Sequence, residues 1–350
     1  MKQIIIITLL SLTLMVYADE EKDKRNLIYP VVFYSPETSL AFGFTYVKLK
    51  PIKALNKSNV NQLFVYYTLK NQYILQSSAE RYLLNKNKFE AEFGLKKNKE
   101  DFWGIGNNTT EADIEEYTSQ EIDANFSFFK EAFANFYLGL KYEWGRYRVV
   151  ETEANSFLKL NAIRGYKKTH VSGIGTAFSY DTRNSQFFPT KGFNWDFEFI
   201  FHQKFWGSEY NFYRCKLDFR NFFPLYENHI FATQLKFMQA CENVPFQLLP
   251  KLGGSEIMRG FYEGRYRDQK YLASQIEYRF PLYKKFRGNI FSGLGCVNTY
   301  FKDFSWNDFK LSYGLGLRYL IVEEQKLYFR TDFGFNGEDM KVYFGATEAF

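Results

Sequence analysis

The sequence predicts an all-β fold, specifically a transmembrane antiparallel β-barrel of sixteen strands. Apolar and polar residues alternate with a period of two through most of the chain, as in strands with two different faces. After residue 18 no segment is long and apolar enough for a membrane-spanning helix, so only a closed barrel could cross a membrane. Aromatic residues make up 21% although 24% is charged and the mean hydropathy is −0.37. That combination suits rings facing lipid and charges facing a lumen.

The first segment, residues 1–18, has the pattern of a cleavable signal peptide. Lys2 precedes an apolar run at 4–16 that ends shortly before Ala18. A membrane anchor is the alternative, but this run falls short of the ~20 residues that a helix needs to cross a bilayer. We therefore predict cleavage after residue 18, a short and disordered periplasmic segment at 19–26, and a barrel at 27–350.

Two neighbouring segments show the alternation most clearly. Every second residue from Phe193 to Phe201 is Phe or Trp, and the residues between them are largely polar. The next segment places four charged residues on one face, namely Arg214, Lys216, Asp218 and Arg220. A Lys or Arg that faces lipid costs ~2–4 kcal/mol at the middle of the membrane. These charged rows must therefore face the lumen.

Turn signals between alternating segments divide the chain into sixteen strands. An even count is expected of a bacterial barrel, and fourteen is the alternative because the first strand has the weakest pattern. Gly314 and Gly316 on the lumen face leave room for a segment packed inside. The predicted strands are 27–34, 38–50, 59–70, 72–84, 88–98, 117–130, 134–148, 170–181, 192–204, 208–223, 228–241, 268–281, 286–301, 308–322, 325–336 and 340–350.

Two connections, 149–169 and 242–267, are longer than a turn requires, and long connections tend to be functional or disordered. The second contains Gly253, Gly254, Arg259, Gly260 and Phe261. This pattern resembles the Arg-Gly-Phe/Tyr loop of the outer-membrane assembly and secretion superfamily of the BamA/TamA type, also called bacterial surface antigens. The resemblance implies a sixteen-stranded barrel in which this loop folds into the lumen.

In that family the loop arginine docks on acidic residues of the inner wall. By alternation, Glu277 and Asp332 point inward and are the candidate partners of Arg259, whereas Asp196 and Glu198 are more remote in strand order. A glycine beside the arginine lets the backbone approach the wall closely. The alternative is that Arg259 is a solvated loop charge.

Three further stretches are similar to the family. Asp181, Arg183, Phe188, Pro189 and Gly192 match its Asp-Thr-Arg…Phe-Pro-x-x-Gly hairpin, and residues 34–38 resemble its first hairpin. The chain ends on an aromatic residue preceded by glycine, which resembles the signal read by the barrel-assembly machinery. That signal consists of Gly345 and Phe350, but Glu348 stands where the pattern prefers an apolar residue.

The resemblance implies an integral protein of the cell outer membrane that assists insertion or translocation of proteins or lipids. Family members usually carry periplasmic polypeptide-transport modules, for which residues 19–26 leave no room, so we expect a barrel-only member. The physical basis of such an activity is a sheet edge between the first and last strands, which can pair with an incoming strand. The alternative is a plugged passive pore or a structural barrel with no insertase activity.

Other functions have little support in the sequence. A hydrolase would need His170, His202 or His229 beside a nucleophile and an acid, and a lumen lining explains His202 better. Three cysteines without close spacing imply neither a disulfide framework nor a metal site. We expect no enzyme activity, no cofactor, no metal and no nucleic acid partner. The expected partners are outer-membrane lipid, the barrel-assembly machinery during biogenesis, and client outer-membrane proteins.

Overall fold

Antiparallel strands account for most of the computed structural model, which describes residues 19–21, 24–35, 39–52, 55, 57–153 and 155–350. The predicted signal peptide, residues 1–18, lies outside the described residues, as do residues 36–38 of the predicted first hairpin. The prediction of an all-β antiparallel fold is confirmed. In the described part of the chain, no helix is long and apolar enough to span a membrane.

Each of the sixteen predicted segments corresponds to a strand of one large sheet. We label these strands β1 (Lys24–Ser35), β2 (Ser39–Ile52), β3 (Lys57–Thr68), β4 (Tyr73–Tyr82), β5 (Asn87–Phe102), β6 (Glu115–Phe133), β7 (Phe136–Thr152), β8 (Lys168–Asp181), β9 (Gly192–His202), β10 (Phe212–Pro224), β11 (Ile230–Glu242), β12 (Lys270–Tyr283), β13 (Phe286–Asn298), β14 (Lys310–Val322), β15 (Leu327–Phe335) and β16 (Met340–Gly345).

The sheet contains 17 strands rather than sixteen, because Asp19–Glu21 pairs with the start of β1. The prediction that residues 19–26 are disordered is therefore wrong for the residues described there. Each labelled strand pairs in antiparallel register with the next along the chain. Closure of the sheet by hydrogen bonds between β1 and β16 stays a prediction.

The two ends of the sheet come together and enclose an interior. Leu27, Val47 and Leu49 of the first two strands form a buried apolar cluster with Val322 and Leu327, which flank the turn between β14 and β15. The Arg25 guanidinium lies 2.6 Å from the Glu324 carboxylate beside this cluster. We call this meeting of the sheet ends the seam. Because residues of the first two strands pack against the turn between β14 and β15, the two ends of the sheet lie close together and the sheet is rolled rather than open.

The rolled sheet has an apolar outer face and a polar inner face, as the alternation predicts. Trp195 and Phe201 of β9 are about two-fifths exposed on the outside, while the charged Asp218 and Glu277 are fully buried on the inside. The β9–β10 register places Glu198 opposite Lys216, and their side chains form an ion pair of 3.2 Å. Charge is thus retained on the inner face because it is paired there.

Long connections lie at one end of the rolled sheet and short turns at the other. The loop end carries residues 103–114, 153–167 and 243–269, whereas the turn end includes connections as short as 134–135. In outer-membrane barrels the short turns are periplasmic and the longer loops extracellular. Short helices occur in the connections: the α-helix Phe157–Leu160 and the 3-10 helices Glu111–Asp113, Lys204–Trp206, Phe246–Leu248, Phe301–Asp303 and Trp306–Asp308.

The last strand differs from its prediction. The predicted strand 340–350 ends at Gly345, and the C-terminal segment, residues 346–350, turns into the interior. Met340 and Phe344 face outward, so a strand continued at the same phase would point Glu348 into lipid. Turned inward, Glu348 pairs with Arg318 at 2.9 Å. The departure from the family's apolar pattern at this position is the physical reason for the shorter strand.

Candidate functional site inside the barrel

Residues 243–269, which we call the lumen loop, connect β11 to β12 and pack against the inner wall. Lys251–Leu252 pairs with Tyr266–Arg267 and holds the two arms of the loop together. Ile257, Met258 and Phe261 at its tip are buried with residues of the wall. The loop therefore has an apolar contact surface of its own.

Two glycines let the loop backbone lie directly on strand β15. Gly260 has a φ of +115°, and a Cβ there would lie 2.7 Å from the Phe335 backbone. On the opposite side, a Cβ at Gly334 would lie 2.6 Å from the Arg259 carbonyl carbon. Neither position accommodates a side chain without movement. The expectation that glycine permits a close approach at residue 260 agrees with this geometry.

Arg259 lies between Glu277 and Asp332, the two acids that the sequence indicated as its candidate partners. Its Nη2 is 2.6 Å from Glu277 Oε2, and its Nη1 is 2.6 Å from Asp332 Oδ2. The guanidinium carbon lies 3.5 Å from the centroid of the Phe291 ring. All three charged side chains are fully buried. Arg259 is therefore not a solvated loop charge, and charge-assisted bonds of this type are among the stronger hydrogen bonds in proteins.

The pair of acids belongs to a larger set of buried charges, which we call the interior ion network. Glu277 also binds Arg279 at 2.7 Å, and Asp332 also binds Arg318. Strands β12, β14 and β15, the lumen loop and the C-terminal segment all contribute to it. Its members are Arg259, Glu277, Arg279, Arg318, Arg330, Asp332 and Glu348.

The C-terminal segment completes this network from the turn end. Arg318 binds Glu348, and Arg279 donates a hydrogen bond of 3.1 Å to the main-chain oxygen of Phe350. The Phe350 ring is buried with Phe222 and Ala232 of β10 and β11. Gly345 ends β16, so both residues of the predicted assembly signal are described. The aromatic ring lies in the interior of the folded chain rather than on the lipid-facing surface.

The residues of the predicted family hairpin form a second arrangement at the turn end. Asp181 receives two hydrogen bonds from the Arg183 guanidinium, at 2.8 and 3.0 Å, and lies 2.6 Å from Lys57 Nζ on β3. Phe188 and Pro189 are buried. Gly192 has a φ of +96°, where a Cβ would lie 2.4 Å from the Thr182 carbonyl oxygen. The hairpin thus reaches a distant strand and is held there by the ion pair between Asp181 and Lys57.

A connection that the sequence did not single out covers the lumen loop. Residues 103–114 cross the loop end, where Arg265 binds Glu111 at 2.8 Å and Asn107 donates to the Asp308 carbonyl oxygen at 2.8 Å. Gly104 and Gly106 have φ values of +95° and +120°. These two glycines, followed by Asn107, are the signal in the sequence that could have indicated an ordered turn.

The other candidate residues do not form a common site. Asp196 and Glu198 lie on β9, and Glu198 binds Lys141 and Lys216 rather than Arg259. Nε2 of His202 is 3.5 Å from Glu143, and its ring stacks on Phe212. In the described residues there is no group of His, Cys, Asp and Glu arranged to hold a metal ion. The absence of enzyme activity stays a prediction.

One acidic residue where the lumen loop ends has a perturbed pKa. Burial raises the pKa of the Asp268 carboxyl above its ordinary value, although two hydrogen bonds favour its charged form. The donors are the Gln269 amide at 2.6 Å and the Thr299 hydroxyl at 3.1 Å. Asp268 thus ties the end of the loop to the connection after β13 instead of joining the interior ion network.

A rolled antiparallel sheet with an apolar outer face and a charged interior is the architecture of a transmembrane β-barrel. Residues 59–321, more than half of the chain, match the model of the Omp85 superfamily domain. The chain therefore belongs to the Omp85 superfamily, whose barrels are outer-membrane proteins. This confirms the resemblance carried by the lumen-loop motif and the hairpin motif.

Solved structures of similar fold agree with this assignment. BamA from Haemophilus ducreyi lacking POTRA domains 1-3 matches with a TM-score of 0.57 at 15% identity, covering 92% of this chain and 68% of that one. CdiB from Acinetobacter baumannii matches at 0.55 and 12%, covering 93% and 59%, and CdiB from Escherichia coli at 0.59 and 9%, covering 93% and 63%. This chain thus spans about three fifths of each CdiB chain. No curated protein matches it.

Proposed function

We propose that this barrel assists the insertion or translocation of proteins or lipids at the outer membrane and acts through the seam. The observation that carries the proposal is the unequal length of the two strands that end the sheet. β1 has twelve residues, of which Lys24–Asn26 pair with Asp19–Glu21, whereas β16 has six and covers only Arg330–Phe335 of its neighbour β15. A six-residue strand cannot occupy the whole edge that the other nine residues of β1 present. The remaining backbone groups are a template for an incoming strand.

Interior packing supports a seam rather than a central pore as the working region. The lumen loop lies against the wall through Arg259, residues 103–114 cover it, and the C-terminal segment packs below it. A polypeptide passing through the centre would have to displace all three. Strand addition at the seam leaves them in place.

Photo-crosslinking in cells tests the seam directly. A photoreactive amino acid at Ile28 of β1 or Phe344 of β16, both exposed on the outer face, should capture newly made barrel proteins. Trp195 of β9 has similar exposure on the outer face, far from the seam in strand order, and is the control. Adducts from the two seam positions alone are expected. Equal capture from all three positions, or capture from none, would overturn the proposal.

Depletion of the protein tests the function at the level of the cell. Quantitative proteomics of the outer membrane should show selective loss of other β-barrel proteins after depletion, and the wild-type chain should restore them. An unchanged set of barrels together with altered solute uptake would instead favour a pore.

The second candidate is a passive pore or structural barrel plugged by residues 242–267. A cavity of about 450 Å³ between the lumen loop and the wall of β9–β12 favours it, because the loop does not fill the whole interior. Its lining includes Arg214, Lys216 and Lys236. Because Leu252 pairs with Tyr266, deletion of residues 253–264 leaves ends that a short linker can join. A large rise in single-channel conductance on this deletion, with an unchanged barrel proteome after depletion, would support the pore.

A further inference from the structure

The outer face of β7 changes character from one end to the other. Leu138 and Leu140 are followed toward the loop end by Tyr142 and Trp144, and all four are exposed. Two more outward residues, Arg146 and Arg148, continue the same row and are also exposed. A lipid-facing strand shows this order as it leaves the hydrocarbon region: apolar residues come first, then aromatic rings, and then cations.

The neighbouring strand extends the cationic end of this row. β8 places Lys168 opposite Arg148, and Lys167 immediately precedes it. Together with Arg146, these residues line a cleft of about 840 Å³, in which Glu151 is the one acidic residue of the lining. We call this cleft, lined by Arg146, Arg148, Val149, Val150, Glu151, Thr152, Tyr166, Lys167 and Lys168, the basic cleft.

The cations of the basic cleft differ from those of the interior in having no acidic partners. Inside the barrel most Lys and Arg side chains of the wall form ion pairs, as Lys141 does with Glu198. Within the described residues none of Arg146, Arg148, Lys167 and Lys168 forms one. Four cations and one carboxylate around a single cleft leave a formal excess of three positive charges. Like charges held this close repel each other unless an anion lies between them.

We propose that the basic cleft binds the phosphate groups of a lipid headgroup in the membrane leaflet at the loop end. Arginine presents a fork of donors that suits phosphate oxygens, and two arginines occur two residues apart on the same face. The cleft begins one outward position beyond Trp144, which is roughly 7 Å along a strand. Phosphates bound there place acyl chains against the leucines of the same row. A soluble anion makes no contact with the hydrocarbon region, so it would not favour a site at this distance from the aromatic rings over another cationic site.

The proposal predicts retention of a phosphorylated lipid by the purified protein. Diphosphorylated lipid A, phosphatidylcholine and inorganic phosphate are the three probes, each titrated into the full chain in neutral detergent and followed by native mass spectrometry and thermal melting. Lipid A should bind and raise the melting temperature, and phosphatidylcholine should not. If inorganic phosphate competes as well as lipid A does, the cleft is a site for soluble anions and the lipid proposal is wrong.

Charge-matched variants locate the binding. The Arg146→Gln/Arg148→Gln variant should bind lipid A roughly thirtyfold more weakly, since each basic residue near a charged membrane surface contributes about fivefold and the two contributions multiply. Lys284→Gln/Lys285→Gln removes the same charge from the exposed turn between β12 and β13 and is the control. Equal binding by both variants would overturn the proposal. If the arginine variant fails to fold, Lys167→Gln/Lys168→Gln replaces it, because Lys167 lies outside the strands and Lys168 only begins β8.

Discussion

Arg259 joins a loop to a wall through two carboxylates, and both bonds are out of contact with solvent. Removing one partner of a buried ion pair costs ~3–5 kcal/mol, because the remaining charges stay buried without compensation. Arg259→Ala should therefore lower the temperature at which the folded form disappears on unboiled gels. Arg164→Ala removes an exposed loop arginine and should leave that temperature unchanged. Equal melting of both variants and the wild type would show that the pair does not hold the loop.

Gly260 is subject to two constraints, a positive φ and a close approach to strand β15, whereas Gly207 is subject only to the first. The φ of Gly260 is positive, and a Cβ would meet the Phe335 backbone, whereas Gly207 has a positive φ of +91° with no atom within 4 Å. Gly260→Ala should lower stability by about 1–3 kcal/mol more than Gly207→Ala does, because overpacking adds to backbone strain. Chemical denaturation of both variants measures the difference. Similar losses would mean that the loop can move away from β15.

The sequence indicated Glu277 and Asp332 as candidate partners of Arg259, for a reason specific to strands. Once the phase of alternation is known, Glu277 and Asp332 must face inward, and few other acids do so on the neighbouring strands. The Arg318–Asp332 and Arg318–Glu348 contacts were not predictable in this way. Glu348 joins the network only because the last strand ends early, and local periodicity carries no information on where a strand leaves the sheet.

At the scale of one element, the C-terminal segment depends on Glu348 for its inward position. Glu348→Gln removes the charge that Arg318 binds, so the segment should leave the interior more often. A cysteine introduced by Ala349→Cys, in a chain with Cys215, Cys241 and Cys296 replaced by serine, should then react faster with a maleimide. Glu324→Gln weakens the exposed pair with Arg25 and should not change the rate. Equal rates in both variants would contradict the assigned role.

Strands were predictable because their residues alternate between apolar and polar. Connections that cross the end of the barrel show no such alternation and were not predictable. The boundaries of β9 and β10 follow from rows of rings and charges, within a few residues. Residues 103–114 contact β13 and the lumen loop, which are far away in the sequence, through single pairs such as Arg265 and Glu111. Such contacts leave no periodic trace, so this cover over the loop end emerged only from the structure.

For the whole molecule, the apolar cluster at the seam determines how firmly the sheet ends are held together. Leu49 is fully buried in that cluster, and truncation of a buried leucine costs ~2–5 kcal/mol. Leu49→Ala should therefore lower the melting temperature of the barrel and increase capture at Ile28 in the crosslinking experiment. Leu315→Ala, on the outer face of β14, is the control and should affect neither. A melting loss without a change in capture would separate stability from seam opening.

The interior ion network also has a consequence for the order in which the parts of the barrel can fold. All of its members lie between residues 259 and 348, so the eleven strands from β1 to β11 can form before any of these charges has its partner. Arg318 and Arg279 would remain incompletely compensated inside an intermediate that has not yet placed Glu348. Such an intermediate is less stable than the finished barrel by the free energy of those bonds. The C-terminal segment therefore completes the interior ion network: Arg318 and Arg279 have all of their described partners only after this segment has been placed.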